Sequence, residues 1–341
     1  MEPLVVVVKA VHAQIALRHL LDSHYLDSSR RIHRTADEVE LPVTAPPASL
    51  PVDFSVRWQQ TVVARRYATP MEEVRVEAEL FLSPRKVHML PEKWEKIGDV
   101  LVLPSLPSIG HKQRIAQLYA RALHCRTVLE DAGGITGPLR QPQVHHLYGS
   151  TDTETVHREN GIRYQLDPAR IMFSSGNIDE RLRMATVSNP QEVVVDLFAG
   201  IGYFTLPLAV HGGATVHACE LNPLACRYLE RNCVLNHVTD RVTVHRGDCR
   251  RVAPRGVAHR VVMGYFGSAE FMSTALAALQ PEGGVIHYHC TCSAGEFPAH
   301  PLDEVEAAGR RESRQAELIA ARKVKSYAPG VVHGVLDVCI S

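Results

Sequence analysis

The chain has 341 residues, 45% hydrophobic and 22% charged, with 37 basic and 37 acidic side chains and therefore no net charge. That length exceeds what one core organises, so two or three domains are expected, and the zero balance argues against a large nonspecific nucleic-acid surface while leaving room for local patches. The apolar run Leu4–Val8 is too short to span a bilayer, no signal pattern directs secretion, and eight cysteines without a C-x-x-C pair read as reduced, mostly buried thiols of a cytosolic protein.

Residues 1–80 read as a small α/β module. Val5 to Val8 predicts a strand and His12 to Leu21 a helix, and Pro42, Pro46, Pro47 and Pro51 break the following chain into loops. Residues 81–175 form an intermediate domain. Trp94 to Leu103 reads as a turn into a strand. His111 to Arg126 reads as a helix that carries Lys112, Arg114, Arg121 and Arg126 with no acidic residue. Such a basic run is a solvated face or a phosphate contact. Thr155–His157 and Ile162–Leu166 flank Asn160-Gly161, a hairpin signal that ends the domain. Asn177 then precedes a helix over 178–187, with Glu180 in place to complete a capping box. Ser174 and Arg181 are either a loop residue and a surface cation, or part of a segment folded over a pocket with Arg181 paired to a carboxylate.

Residues 176–341 are expected to carry the chemistry. Val193–Val195 is an apolar β-branched run ended by Asp196. Gly200 and Gly202 follow, then an apolar stretch to Val210, and a second strand-like run, Ala214–Ala218, ends at Glu220. Strand, glycine turn, helix, strand and acid make the opening unit of a nucleoside-binding sheet. Buried parallel strands read as continuous apolar runs, and the glycines let backbone approach a ligand. A carboxylate at 220 can accept both hydroxyls of a ribose. NAD and S-adenosylmethionine both fit that much, and three details favour the second. Thr205 occupies the place of the third dinucleotide glycine; Asp196 at the loop suits a cation better than a pyrophosphate; and Asp248, after the run Val242–Val244, can accept from an adenine amino group.

Strands are placed near 192–197, 214–219, 241–246, 259–265, 283–290, 321–326 and 331–339, and helices near 203–211, 222–236, 269–280 and 300–318. Pro329-Gly330 turns the last two strands into a hairpin. This is an α/β class, a class I methyltransferase-like sheet with an antiparallel C-terminal pair. His287-Tyr-His289-Cys290-Thr-Cys292 does not make a metal site, because alternation along a strand sends the histidines and cysteines to opposite faces. No Ser/His/Asp nucleophile stands out. The six arginines at 241, 246, 250, 251, 255 and 260 face one acid, Asp248, and read as surface charge or, beside the pocket, as a phosphate site.

Five segments resemble one superfamily: Glu159-Asn-Gly-Ile-Arg-Tyr, Met172-Phe-Ser-Ser-Gly-Asn, Asp196-Leu-Phe-Ala-Gly-Ile-Gly-Tyr-Phe-Thr-Leu-Pro, Cys219-Glu-Leu-Asn-Pro and Val324-Lys-Ser-Tyr-Ala-Pro. It contains the tRNA guanine-N1-methyltransferases acting 3′ of the anticodon and the wybutosine-synthesis enzymes that transfer a 3-amino-3-carboxypropyl group. The match spans roughly residues 92–341. At 264 the methyltransferase branch has an Asn-x-Pro-Pro type motif, where this chain has Gly264-Tyr-Phe-Gly. That difference, and His287-Tyr-His289, resemble the aminocarboxypropyl branch, the tRNA wybutosine-synthesizing protein 2 family. The resemblance implies tRNA-Phe carrying a tricyclic wyosine precursor as acceptor and S-adenosylmethionine as group donor. It implies that Ser174 and Arg181 hold the methionyl end, Glu220 the ribose, and Asp248 with Cys249 the adenine, while Gly200 lines the cofactor. It implies a tRNA-contacting role for 81–175 and admits other wybutosine-pathway enzymes as partners, with no membrane and no metal. No general base is named. Two readings stand beside it: methyl transfer to tRNA guanine, and a noncatalytic adaptor that binds cofactor and tRNA.

Overall fold

Apolar runs set the strands of this chain, and its turn residues set where they stop. The structure, a computed structural model, describes residues 3–27, 29–59, 69–106, 109–137 and 139–341. It divides into two compact units, residues 1–73 and 74–341. None of the helices among the described residues is long and apolar enough to cross a membrane.

The first unit contains β1 (Leu4–Lys9), α1 (Ala13–Asp22), β2 (His33–Arg34), β3 (Glu38–Val43) and β4 (Ser55–Trp58). Its sheet runs β2-β3-β1-β4, and Val6, Val8, Val39, Leu41 and Val43 close on Ala16 and Leu20 of α1. The first strand and helix fall where the sequence puts them. Pro42, by contrast, lies inside β3, opposite Val5. Its carbonyl accepts from Asp27 N at 2.9 Å. The N and O of one strand residue point the same way, so the proline nitrogen faces off the β1 ladder and costs it no bond.

Helix α2 (Pro70–Ala78) begins in the first unit and ends in the second, where α3 (Pro84–Val87) follows. A mixed sheet comes next: β5 (Glu95–Ile97), β6 (Val100–Leu103), α4 (Lys112–Ala122), β7 (Thr127–Thr136) and β8 (Gln141–Gly149), in order β5-β6-β7-β8. β6 and β7 are parallel, joined by α4. The predicted hairpin forms as β9 (Thr155–Glu159) and β10 (Ile162–Leu166), with Asn160 and Gly161 both at positive φ in the turn.

The seven-stranded sheet is built from β11 (Val193–Asp196), β12 (Thr215–Glu220), β13 (Val242–Arg246), β14 (Arg260–Met263), β15 (Gly284–Ser293), β16 (Ala316–Ala328) and β17 (Val331–Ile340). Its order is β13-β12-β11-β14-β15-β17-β16, with β17 antiparallel to both neighbours. This is the class I methyltransferase arrangement expected from the sequence. Helices α5 (Ile178–Met184), α6 (Thr205–Val210) and α7 (Pro223–Leu235) cover one face, and α8 (Cys249–Val252), α9 (Met272–Ala278) and α10 (Ala299–Arg311) the other. The β9–β10 hairpin shares the first core, which gathers Ile162, Tyr164 and Leu166 with Leu206 of α6 and Leu229 of α7. α7 pins it through two asparagines: Gln165 N donates to Asn232 Oδ1 at 2.7 Å and Arg163 N to Asn236 Oδ1 at 2.9 Å.

Several helices are shorter than predicted, among them α4, which ends at Ala122 rather than Arg126, with His124 at a left-handed φ of 52° just beyond. α5 stops at Met184, and α9 starts at Met272 behind a 3-10 turn, Ser268–Phe271. α10 ends at Arg311 rather than near 318, because Ser313 takes a left-handed φ of 55° and the chain from Ala316 pairs with Ile340 in β17. Ladder bonds outcompete the helical propensity of the Ala-Glu-Leu stretch.

Candidate cofactor and substrate site

A cavity of about 370 Å³ opens where β11, β12, β13 and β14 end, at the switch in strand order. All six residues singled out from the sequence line it: Ser174, Arg181, Gly200, Glu220, Asp248 and Cys249.

Glu220 terminates β12. Its Oε2 accepts from Gly200 N and its Oε1 from Asn222 N, both at 2.7 Å. Burial pushes its carboxyl above the usual range, against backbone N–H groups that favour the ionised form. Gly200, at φ 58°, takes a backbone conformation that L side chains rarely adopt, and an added Cβ would meet the Tyr203 ring at 2.7 Å. Gly202 serves packing instead of ligand approach. Its missing Cβ leaves room for Leu206 and Leu229, and it is not on the cavity wall.

Asp196 corrects the sequence reading. It is fully buried and turned inward, where Oδ2 accepts from the Thr205 hydroxyl at 2.8 Å and Oδ1 from Phe198 N at 3.3 Å. It shapes the loop from within rather than facing a ligand, and burial raises its carboxyl to about 6. Asp248 caps α8 through Arg250 N, and Arg250 Nη2 reaches its Oδ2 at 2.6 Å. Cys249 is buried beside it, its thiol pushed up to about 11 by desolvation.

The facing wall comes from residues 171–181. Arg181, 2% exposed, spends its guanidinium inside the protein: Nε and Nη2 bond Glu159 at 2.5 and 2.7 Å, and Nη1 bonds the Ser174 carbonyl at 2.7 Å. Desolvation opposes the Glu159 charge, but the bonds from Arg181 and His157 win and hold the carboxyl at about 2. The predicted pairing of Arg181 with a carboxylate is therefore found. The predicted capping box is not. Asn177 makes no cap bond, and Glu180 is buried against Arg183.

Two wall residues, Leu139 and Arg140, carried no sequence signal. Both come from the loop between β7 and β8, and Asn222 Nδ2 ties Leu139 O at 3.2 Å. Tyr203 donates to the Met172 carbonyl. After β14, Gly264-Tyr265-Phe266 lines the cavity, with Tyr265 against Phe198 (ring centroids 5.3 Å apart). A second chamber of about 580 Å³ shares Arg140, Ile171, Met172, Ser174 and Phe266 with the first, and adds Trp94, Tyr327 and Lys325.

The sequence-flagged cations mostly have other employment. Lys112 pairs with Glu130, Arg121 with Glu77 and Arg126 with Asp99, while Arg114 lies over Phe81. Arg260 and Arg241 sit at the beginnings of β14 and β13, away from the cavity end, and Arg260 is held by Glu192. Arg246 pairs with Glu230, whereas Arg251 and Arg255 are exposed. The six arginines do not form one phosphate site. His287 and His289 are buried together on one face, and no cluster of three metal-ligating side chains occurs among the described residues. Arg260 donates to His287 Nε2 at 3.1 Å, so the proton sits on Nδ1, which bonds Asp337 at 2.6 Å.

Fold and cavity together define a class I methyltransferase-like protein with a nucleoside-sized site at the carboxyl ends of its strands. The TYW2 N-terminal domain family matches residues 79–153, and the TRM5/TYW2 methyltransferase domain family matches residues 155–318. The tRNA(Phe) (4-demethylwyosine(37)-C(7)) aminocarboxypropyltransferase of Pyrococcus horikoshii is 45% identical over 253 residues, covering 74% of this chain and 90% of that protein. The crystal structure of P. horikoshii TYW2 in complex with MeSAdo superposes with a TM-score of 0.72 at 40% identity, covering 79% of this chain and 98% of that one. The tRNA (guanine(37)-N(1))-methyltransferase Trm5b of Pyrococcus abyssi is 30% identical over 341 residues, 99% of each chain. The chain belongs to the tRNA wybutosine-synthesizing protein 2 family, within the superfamily that also holds the Trm5 methyltransferases.

Proposed function

We propose that this chain is an S-adenosylmethionine-dependent tRNA aminocarboxypropyltransferase of wybutosine biosynthesis. It transfers the 3-amino-3-carboxypropyl group to the tricyclic wyosine precursor 3′ of the anticodon in tRNA-Phe. The observation that carries the reading is Gly264-Tyr265-Phe266 on the cavity wall, where the methyltransferase branch has Asn-x-Pro-Pro. The names of the relatives support it.

The chemistry balances without an oxidant. The acceptor ring carbon forms a bond to the γ-carbon of the methionyl chain, the γ-carbon–sulfur bond breaks, and its electron pair leaves on neutral methylthioadenosine. The ring carbon's proton passes to solvent. A neutral leaving group lets catalysis rest on positioning. Glu220 takes the ribose hydroxyls with the lone pairs its backbone partners leave free. Asp248 and Cys249 take the adenine edge, and Gly200 lines the cofactor. Ser174 meets the methionyl end, and Arg181 fixes it there by holding the Ser174 carbonyl. The second chamber, with its aromatic rings and Lys325, suits the acceptor base.

The test uses S-adenosylmethionine labelled in the methyl group or in the carboxyl group, each with tRNA-Phe bearing the precursor. Carboxyl label on tRNA, with methyl label released as methylthioadenosine, is the expected result. Methyl label on tRNA would assign the chain to the Trm5 chemistry instead. Label on neither, with cofactor and tRNA still bound, would leave the adaptor reading.

A further inference from the structure

Asn177 stands where the sequence asks for a helix cap, yet its amide makes no cap bond. Its Oδ1 is buried and has no hydrogen-bond partner among the described residues. Folded proteins pair nearly all such atoms, and each exception calls for an explanation. Asn177 also lines the cavity, on the wall it shares with Ser174 and Arg181.

The carboxylates behind that wall are already engaged. Glu159 is consumed by Arg181, which also occupies the Ser174 carbonyl, and Glu180 is consumed by Arg183. The Asn177 oxygen is the side-chain amide acceptor left over. No hydrogen bond of its own holds the amide among the described residues, so rotation about Cβ–Cγ breaks no bond and leaves the oxygen free to meet a ligand in the cavity that Asn177 lines. The methionyl end of the donor carries an ammonium group that needs such acceptors.

We propose that Asn177 receives the α-ammonium of the methionyl moiety and so anchors the three-carbon chain that is transferred. This rests on the cavity being the S-adenosylmethionine site. Sulfur carries two electrophilic carbons beside its adenosyl bond, and fixing the far end of the longer substituent decides which of the two meets the acceptor. The failed cap and the orphaned oxygen then have one cause: the amide is kept for the ligand.

The experiment is titration calorimetry of the wild type, Asn177→Ala and Asn177→Leu with three ligands. S-adenosylmethionine has the ammonium and the carboxylate, its decarboxylated form keeps the ammonium alone, and methylthioadenosine has neither. Both variants are expected to bind the first two about tenfold more weakly and methylthioadenosine unchanged, which also shows that the site is folded. Unchanged S-adenosylmethionine affinity, or an equal loss for all three ligands, would overturn the assignment. A loss confined to S-adenosylmethionine would overturn it too, since Asn177 would then meet the carboxylate. Failure of the wild type to bind any of the three would instead refute the site reading.

Discussion

Replacing Glu220 tests the core of the cavity. Its two oxygens already accept one backbone N–H each, from Gly200 and Asn222. A carboxylate has about four lone-pair directions, so one per oxygen is left for two neighbouring ribose hydroxyls. In Glu220→Gln one oxygen becomes an NH₂ group, which cannot accept from a hydroxyl and confronts a backbone donor. Loss of a charged acceptor costs about 1.5–3 kcal/mol of binding, roughly a 10- to 150-fold rise in Kd. The stranded backbone N–H adds about 1–3 kcal/mol of lost stability in the free protein. Calorimetry should show the same weakening for S-adenosylmethionine and methylthioadenosine, because both carry the ribose. Thermal unfolding without ligand should show the stability loss. Unchanged affinity for either ligand, or a loss seen with S-adenosylmethionine alone, would remove Glu220 from the ribose.

Two further outcomes follow from buried charge. Arg181→Met leaves the Glu159 carboxylate buried without its partner, which should cost about 3–5 kcal/mol in urea unfolding, while Arg181→Met combined with Glu159→Leu recovers most of it; additive losses would contradict the pairing. Because the Glu159 carboxyl is held at about 2, the pair's contribution is present above the ordinary carboxylate pKa near 4.5 and fades as pH falls through about 2. Asp196 has the opposite sign. With its carboxyl raised to about 6, its stabilising neutral form is fully present below about 4 and lost as pH rises through about 6, a change of roughly 3 kcal/mol. Asp196→Asn can keep Phe198 N on its oxygen and give its NH₂ to Thr205, so its stability should gain on the wild type between pH 4 and pH 8 by about that amount. Parallel pH profiles of unfolding would refute it.

Much of the sheet was legible because buried parallel strands write themselves as uninterrupted apolar runs, and because ligand-facing residues fall at their carboxyl ends. Glu220, Asp248 and Gly200 could be placed on that logic alone. What the sequence could not show is the choice among partners. Asn177 with Glu180 has the spacing of a cap, but Arg183 offers Glu180 a buried partner, and that tertiary bond prevails. The basic run at 111–126 looks available for phosphate until Glu77, Asp99 and Glu130 come into reach from distant segments. Arg140 reaches the cavity from a loop whose sequence has no motif. Asn232 and Asn236 belong to no sequence motif, yet they receive the edge of the β9–β10 hairpin.

The two segments that resemble the aminocarboxypropyl branch, Gly264-Tyr-Phe-Gly and His287-Tyr-His289, are far apart in sequence but meet through His289 in one packed unit. A Cβ at Gly264 would lie 2.7 Å from the Phe204 ring, so a side chain there, asparagine included, would have to displace Phe204. Phe204 in turn packs on His289, with ring centroids 4.9 Å apart. His289 Nδ1 lies 3.2 Å from His333 Nε2, and the His333 ring meets Phe266 at 4.6 Å. The loop after β14 therefore rests at both ends on the histidine pair, through Phe204 under Gly264 and directly under Phe266. Burial lowers the pKa of both histidines, so the pair is neutral and one ring donates to the other. Close packing leaves little room for changing one member alone. The glycine and the histidines are thus two parts of one support, and what that support holds in place is the cavity wall formed by Tyr265 and Phe266.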